Sequence, residues 1–156
     1  MKLNIVWLAV ALAMATLPVA KAEVVSDAKF PISLQVFIPC ANGGAGEVVD
    51  ISGTLHDVFA VTIDGNNMHF VTVDNPQGIS GTGETTGVKY QGTGVTRSDL
   101  NVQNAGFPVS NTFVNNFRII GQGPGNNFLV HENLHVTISA NGTVTAYHDN
   151  FTFECR

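Results

Sequence analysis

Two histidines and a glutamate near the end of the chain have the spacing of a zinc-protease signature. His131, Glu132 and His135 fit the pattern H-E-x-x-H. Its chemistry requires a helix, which places both histidines on the same helix face and within reach of one metal ion. Here the motif lies in FLVHENLHVTIS, which alternates apolar and polar residues as a β-strand does. In a strand the two histidines stand about 13 Å apart, at ~3.3 Å per residue. We therefore predict no metal site at this motif, and no cofactor.

Carboxylates on the predicted buried side of strands are a second candidate for chemistry. The alternation over 47–64 places Asp57 with the apolar residues, and the alternation over 128–138 does the same for Glu132. A buried carboxylate needs a partner or a wet cavity. One hypothesis is that these groups line a ligand pocket; the alternative is a structural polar network, or local bulges that turn them to solvent. The candidate pocket residues are Asp57, Tyr90, Arg118, Glu132 and His148.

The first 22 residues have the layout of a secretory signal peptide. Lys2 gives a positive start, the apolar run 5–17 follows, and Ala20-Lys21-Ala22 is a small-x-small cleavage site. The apolar run is short for a membrane span, so an uncleaved anchor helix is the weaker alternative. We predict a signal peptide over 1–22, a single all-β domain over 23–156, a secreted or periplasmic location, and no membrane span after cleavage.

The chain has two cysteines, Cys40 and Cys155. In an exported protein such a pair most simply forms a disulfide. Their spacing matches no redox or zinc-ribbon pattern, so free thiols in a metal or redox role are the weaker alternative. The predicted bond ties the beginning of the fold to its end and removes both thiols as catalytic candidates.

The charge balance excludes one class of partner. Seven Lys and Arg stand against twelve Asp and Glu, and loss of Lys2 and Lys21 with the signal peptide increases the acidic excess. An acidic chain without a basic cluster is repelled by phosphate backbones, so we predict no nucleic-acid partner. Charged residues are only 12% of the chain, about half the usual share, which argues against a charge-driven partner.

Period-two alternation and turn signals dominate the rest of the chain. Strands are predicted over 32–38, 47–64, 68–73, 112–121, 128–139 and 143–154. The segment 75–78 is predicted as a turn because it contains Pro and Gly, and 99–108 as a loop. The segment 79–97 is either two strands joined near Gly87 or one kinked strand. The disulfide adds a test: an even number of strands must lie between Cys40 and Cys155.

These elements predict an antiparallel meander of about seven to nine strands that forms a closed or nearly closed β-barrel, with a β-sandwich as the alternative. The general outline is similar to small secreted barrels of the lipocalin-like and allene-oxide-cyclase/dirigent-like kinds. The similarity is one of architecture, and architecture does not determine function.

Three functions are compatible with such a fold. The first is a non-catalytic barrel that binds a small, partly apolar molecule, suggested by long amphipathic strands and ten phenylalanines. The second is an extracellular interaction or structural domain with a solid core. The third is a cyclase- or hydrolase-like barrel enzyme in which Asp57 or Glu132 converges with another carboxylate or a histidine.

Overall fold

The computed structural model describes residues 21–156, which form nine antiparallel strands. The strands are β1 Lys21–Ile38, β2 Glu47–Asp64, β3 Asn67–Gly83, β4 Lys89–Thr93, β5 Thr96–Val102, β6 Val109–Asn115, β7 Arg118–Gly121, β8 Phe128–Ile138 and β9 Val144–Cys155. A short 3-10 turn, Asn42–Gly44, is the single helical segment within these residues. The predicted signal peptide lies outside the described residues, except that Lys21 and Ala22 begin β1.

The strands follow one another across the sheet as a meander. β4 and β5 run in line along β3, and β6 and β7 run in line along β8. Because each of these two courses is interrupted, the pairings form a ring of six strands: β3, β4, β7, β8, β6 and β5. The predicted antiparallel all-β fold is thus confirmed. In the described chain β1 pairs with β2 alone and β9 with β8 alone, so these two strands are the outer edges of the sheet and the ring lies between them.

The ring surrounds a break in the ladder at residues 94–95 and 116–117. Gly94 has a φ of 116°, a conformation that side chains rarely adopt. A Cβ atom at this position would also collide with the carbonyl oxygen of Asn116. The Asn116 N–H donates to the Val95 carbonyl at 3.1 Å, so the two interrupted courses remain joined at the break.

The predicted turn at 75–78 is wrong, because this segment lies within β3. The pairing of β2 with β3 passes from Ser52↔Ser80 to Thr54↔Gln77, which leaves one extra residue in β3. Such a bulge accommodates Pro76, which has no N–H, and Gly78, whose φ is 61°. The two strands predicted on either side of 75–78 are therefore one strand.

The true reversal lies at Gly87, where φ is 72° and the N–H donates to the Gly83 carbonyl at 3.0 Å. The predicted loop over 99–108 is also shorter, since β5 extends to Val102. With β4 and β5 counted as one course, and β6 and β7 as another, six courses lie between Cys40 and Cys155. This even number satisfies the test set by the disulfide.

The disulfide itself is confirmed, with Cα atoms 5.7 Å apart. It joins the turn after β1 to the end of β9, and the buried core lies at this end of the sheet. The buried apolar residues are Ile38, Ala41, Val49, Ile51, Ile79, Tyr90 and Ile119. Apart from Ala41, these side chains come from five successive strands of the sheet, β1, β2, β3, β4 and β7, and form one cluster, so the sheet curls around one of its faces here.

Cross-strand partners share a face of the sheet, so the register assigns every strand residue to one side. We call the side that contains the buried residues the core face and the opposite side the outer face. The core face carries even residues 26–38 of β1, odd residues 47–63 of β2, even residues 68–76 and odd residues 79–83 of β3, even residues 90–102 of β4 and β5, odd residues 109–121 of β6 and β7, even residues 128–138 of β8 and odd residues 147–155 of β9.

Candidate functional site

The half of the core face remote from the disulfide, which we call the far half, is an open apolar surface. It consists of the core-face residues of β2 from Leu55 onward and their neighbours across the sheet. Within the described residues, no side chain in this half is buried. Phe59 and Phe70 stack there with ring centroids 6.0 Å apart. A sheet face this apolar, which no second layer of structure covers in the part of the chain described, is available to a ligand or partner.

A line of polar side chains crosses this surface from strand to strand. Asp57 lies opposite Asp74, Asp74 opposite Thr96, Thr96 opposite Asn115, and Asn115 opposite Glu132. We call these five residues the polar row. All five are half-buried. The Thr96 hydroxyl donates a hydrogen bond to the Asn115 side-chain oxygen at 3.1 Å.

The two aspartates of the polar row are coupled. Burial, together with the negative charge of Asp57 and a hydrogen bond between the two carboxyl groups, raises the pKa of Asp74 above its ordinary value. Facing carboxylates repel each other when both are ionised, which favours the state in which the pair holds a proton. A cation placed between them would relieve that repulsion.

Glu132 stands well apart from this pair. It belongs to β8, four strand positions from Asp57, so the two carboxylates are separated by roughly 19 Å along the sheet at ~4.8 Å per strand. The two predicted inward carboxylates therefore lie in the same row without converging. The close partner of Asp57 is Asp74.

The core and outer faces differ strongly in charge. Every strand Lys and Arg from Lys29 onward lies on the outer face, and so do the five histidines. The core face carries five carboxylates from four strands, with no basic side chain between residues 26 and 155 to balance them. These carboxylates are Glu47, Asp57, Asp74, Glu132 and Asp149. The far half of the core face is thus both apolar and negative.

A further carboxylate, that of Glu47, lies at the disulfide end, and residues of the protein itself supply its hydrogen bonds. We call Glu47, Tyr90 and Thr86 the Glu47 cluster. Glu47 is 3% exposed and accepts hydrogen bonds from the Tyr90 hydroxyl at 2.6 Å and from the Thr86 N–H at 3.0 Å. Burial raises the pKa of Glu47, but these hydrogen bonds outweigh it and hold the pKa below its ordinary value. Burial and the bond to Glu47 raise the pKa of Tyr90. This arrangement stabilises the fold and leaves no group free for a ligand.

The structure brings only some of the predicted pocket residues together. Asp57 and Glu132 share the polar row, whereas Tyr90 is committed to Glu47. Arg118 and His148 lie on the outer face, where both are exposed. His148 sits opposite His135 of β8.

The H-E-x-x-H motif lies on β8, as its alternation predicts. The His131 ring bonds to the Asn116 side chain at 2.8 Å, and the His135 ring bonds to the Thr112 hydroxyl at 2.9 Å. Glu132 points to the opposite face from both. Among residues 21–156, no three His, Cys, Asp or Glu side chains are close enough to hold a metal ion.

Comparison with known proteins gives no relative: no protein-family model, no curated protein and no solved structure matches this chain. In the described residues, no helix is long and apolar enough to cross a membrane. The class of the protein therefore follows from its geometry alone. It is an antiparallel sheet joined at one end by a disulfide, and its core face is buried at the disulfide end and open in the far half.

Proposed function

We propose that this protein is a secreted or periplasmic, non-catalytic binding protein that takes a small, partly apolar molecule carrying a positive charge onto the far half of its core face. The observation that carries the proposal is the polar row, with its three carboxylates, on an apolar surface that has no basic side chain between residues 26 and 155. The disulfide supports a location outside the reducing cytoplasm, since such bonds persist in oxidising compartments.

The ligand class follows from complementarity. An apolar body fits the surface around Phe59 and Phe70. A cationic group fits the Asp57–Asp74 pair, where it would relieve the repulsion that raises the pKa of Asp74. An anionic head group of the same size would add a further like charge to the face and is disfavoured.

The test compares three ligands that share one apolar chain and differ in charge. Decylamine, decanol and decanoate are titrated into the disulfide-bonded protein by calorimetry at neutral pH, below the concentrations at which they form micelles. We expect decylamine to bind at least about tenfold more tightly than the other two, since a charge-assisted contact contributes about 1.5–3 kcal/mol.

Variants locate the binding site. Asp57→Asn combined with Asp74→Asn removes the charges of the pair and is expected to abolish the preference for decylamine. Asp50→Asn, on the outer face of the same strand, is the matched control and should leave the preference unchanged. Equal binding of decanoate and decylamine, or an equal loss in the control, would contradict the proposal.

A further inference from the structure

β9 forms one outer edge of the sheet, and all its residues are exposed. The end of the strand shows which of its residues form backbone hydrogen bonds to β8, because Arg156 and Asn127 exchange two backbone hydrogen bonds of 3.0 Å there. Since the register is regular from Ala146 to Cys155, even-numbered residues direct their N–H and C=O groups toward β8. Odd-numbered residues therefore direct theirs outward, to the open edge.

The same odd-numbered residues carry the exposed aromatic side chains of the strand. Tyr147 is 67% exposed, Phe151 55% and Phe153 56%, all on the core face. Free backbone groups and large apolar side chains thus coincide on alternate residues of a single edge. A strand added there would satisfy the backbone groups and cover the aromatic rings at the same time.

The opposite edge of the sheet, β1, has features that discourage such pairing. It contains Lys29, Pro31 and a bulge between Val24 and Ser26. Charged side chains, proline and bulges are devices by which proteins protect sheet edges. From Ala146 to Cys155, β9 has neither proline nor lysine nor a bulge.

We propose that β9 pairs antiparallel with β9 of a second copy of this chain, joining the two sheets across a two-fold axis. Outward groups must face outward groups, so odd residues oppose odd residues and a single residue lies on the axis. Asp149 is excluded from the axis because it would face Asp149 of the second copy. Among the residues near the centre of β9, Asn150 and Phe151 then remain as candidates for the residue on the axis.

Both remaining registers are self-complementary. With Asn150 on the axis, Tyr147 of each copy faces Phe153 of the other, giving two aromatic pairs. With Phe151 on the axis, the two Phe151 rings face each other and His148 faces Glu154 of the second copy. In both registers Asp149 faces a phenylalanine, and about eight backbone hydrogen bonds form across the axis. The joined sheet continues the core face of one copy into that of the other.

The proposal is tested first on the unaltered, disulfide-bonded protein. Sedimentation over a wide concentration range is expected to show a monomer–dimer equilibrium. Residue-resolved hydrogen exchange is expected to show amide protons of Tyr147, Asp149, Phe151 and Phe153 that become protected as the dimer forms. Amide protons of the even residues of β9 should be protected at every concentration, because they bond to β8. The proposal would be overturned if, at the highest concentration, the amide protons of the odd residues of β9 still exchanged as fast as those of an unpaired edge strand.

Two matched variants identify the edge that is used. Phe151→Lys places a charge on β9 and is expected to weaken dimerisation at least about tenfold. Phe30→Lys makes the same change on the core face of β1, where Phe30 is 42% exposed, and should leave dimerisation unaltered. Equal dissociation in both variants would assign the association to the apolar face and would contradict pairing through β9. Because ligand binding at the polar row is measured separately, failure of this proposal leaves the proposed function untouched.

Discussion

Asp57 and Asp74 face each other across β2 and β3, on a face of the sheet that has no basic side chain between residues 26 and 155. Facing like charges destabilise a sheet, and a structural network would pair each of them with a cation or a donor. Glu47, in the same molecule, has such donors in Tyr90 and Thr86. The contrast between these two sites separates a carboxylate that serves the fold from a pair that is open to an external cation.

Replacement of Asp74 by asparagine is expected to stabilise the protein at neutral pH by about 0.2–1 kcal/mol, the size of a cross-strand pair interaction. The pKa of Asp74 is raised in the folded state, so its favourable contribution is complete below its unfolded pKa and is lost as the pH rises through the folded value. The gain of Asp74→Asn should therefore vanish in acid. Urea unfolding between acidic and neutral pH measures it. Asp149→Asn, whose carboxylate lies opposite Leu134 and not opposite a second carboxylate, is the control, and an equal gain in both variants would contradict the coupling of Asp74 to Asp57.

Replacement of Tyr90 by phenylalanine is expected to cost about 1.5–3 kcal/mol at neutral pH, because the hydroxyl donates to a buried, ionised Glu47. The pKa of Glu47 is lowered on folding, so its contribution is present above its unfolded pKa and lost as the pH falls through the folded value. Loss of one donor should make that acid-dependent decline shallower. Tyr147→Phe is the matched control, since Tyr147 is exposed. An equal cost for both tyrosines would show that the Glu47 cluster does not stabilise the fold.

Removal of the disulfide by Cys40→Ser together with Cys155→Ser is expected to lower the free energy of unfolding by roughly 4–5 kcal/mol. The bond closes a loop with a sequence separation of 115, and the chain-entropy model gives this value for a loop of about that length. Urea unfolding of the variant against the oxidised protein measures the loss. Superimposable unfolding curves would mean that the strand ladder alone fixes the chain ends.

Replacement of Gly94 by alanine is expected to destabilise the protein by more than about 1 kcal/mol, because the residue combines positive φ with a close approach to Asn116. Gly65→Ala provides the comparison: Gly65 has a φ of 57° and no atom within 4 Å of an added Cβ. Thermal unfolding of the two variants separates collision from backbone strain. An equal loss in both would show that the break in the ladder tolerates a side chain.

The sequence predicts the strands well where one face is buried and alternation is strict. β2 begins and ends at Glu47 and Asp64, within the predicted range, and the placement of Glu132 away from the histidines of its strand follows from the same alternation. Glu47 itself has the parity of Val49 and Ile51, so the same pattern also indicates its burial.

The polar row could not be predicted, because it depends on register between strands. Asp74 lies between the predicted strand over 68–73 and the predicted turn over 75–78, because Pro76 and Gly78 resemble a chain reversal as closely as they resemble a bulge. Only the pairing of β2 with β3 shows that the strand continues and that Asp74 faces Asp57. The absence of basic side chains from the core face between residues 26 and 155 likewise emerges only when all strands are aligned.

The disulfide encloses almost the whole of the described chain in one covalent ring. Residues 41–154 all lie between its two ends. A protease that cuts one peptide bond anywhere in this interval opens the ring but releases no fragment, because the two pieces stay linked through Cys40 and Cys155. In surroundings that contain proteases, a nicked molecule would keep every strand from β2 to β9 attached to its neighbours and could close up again around the cut.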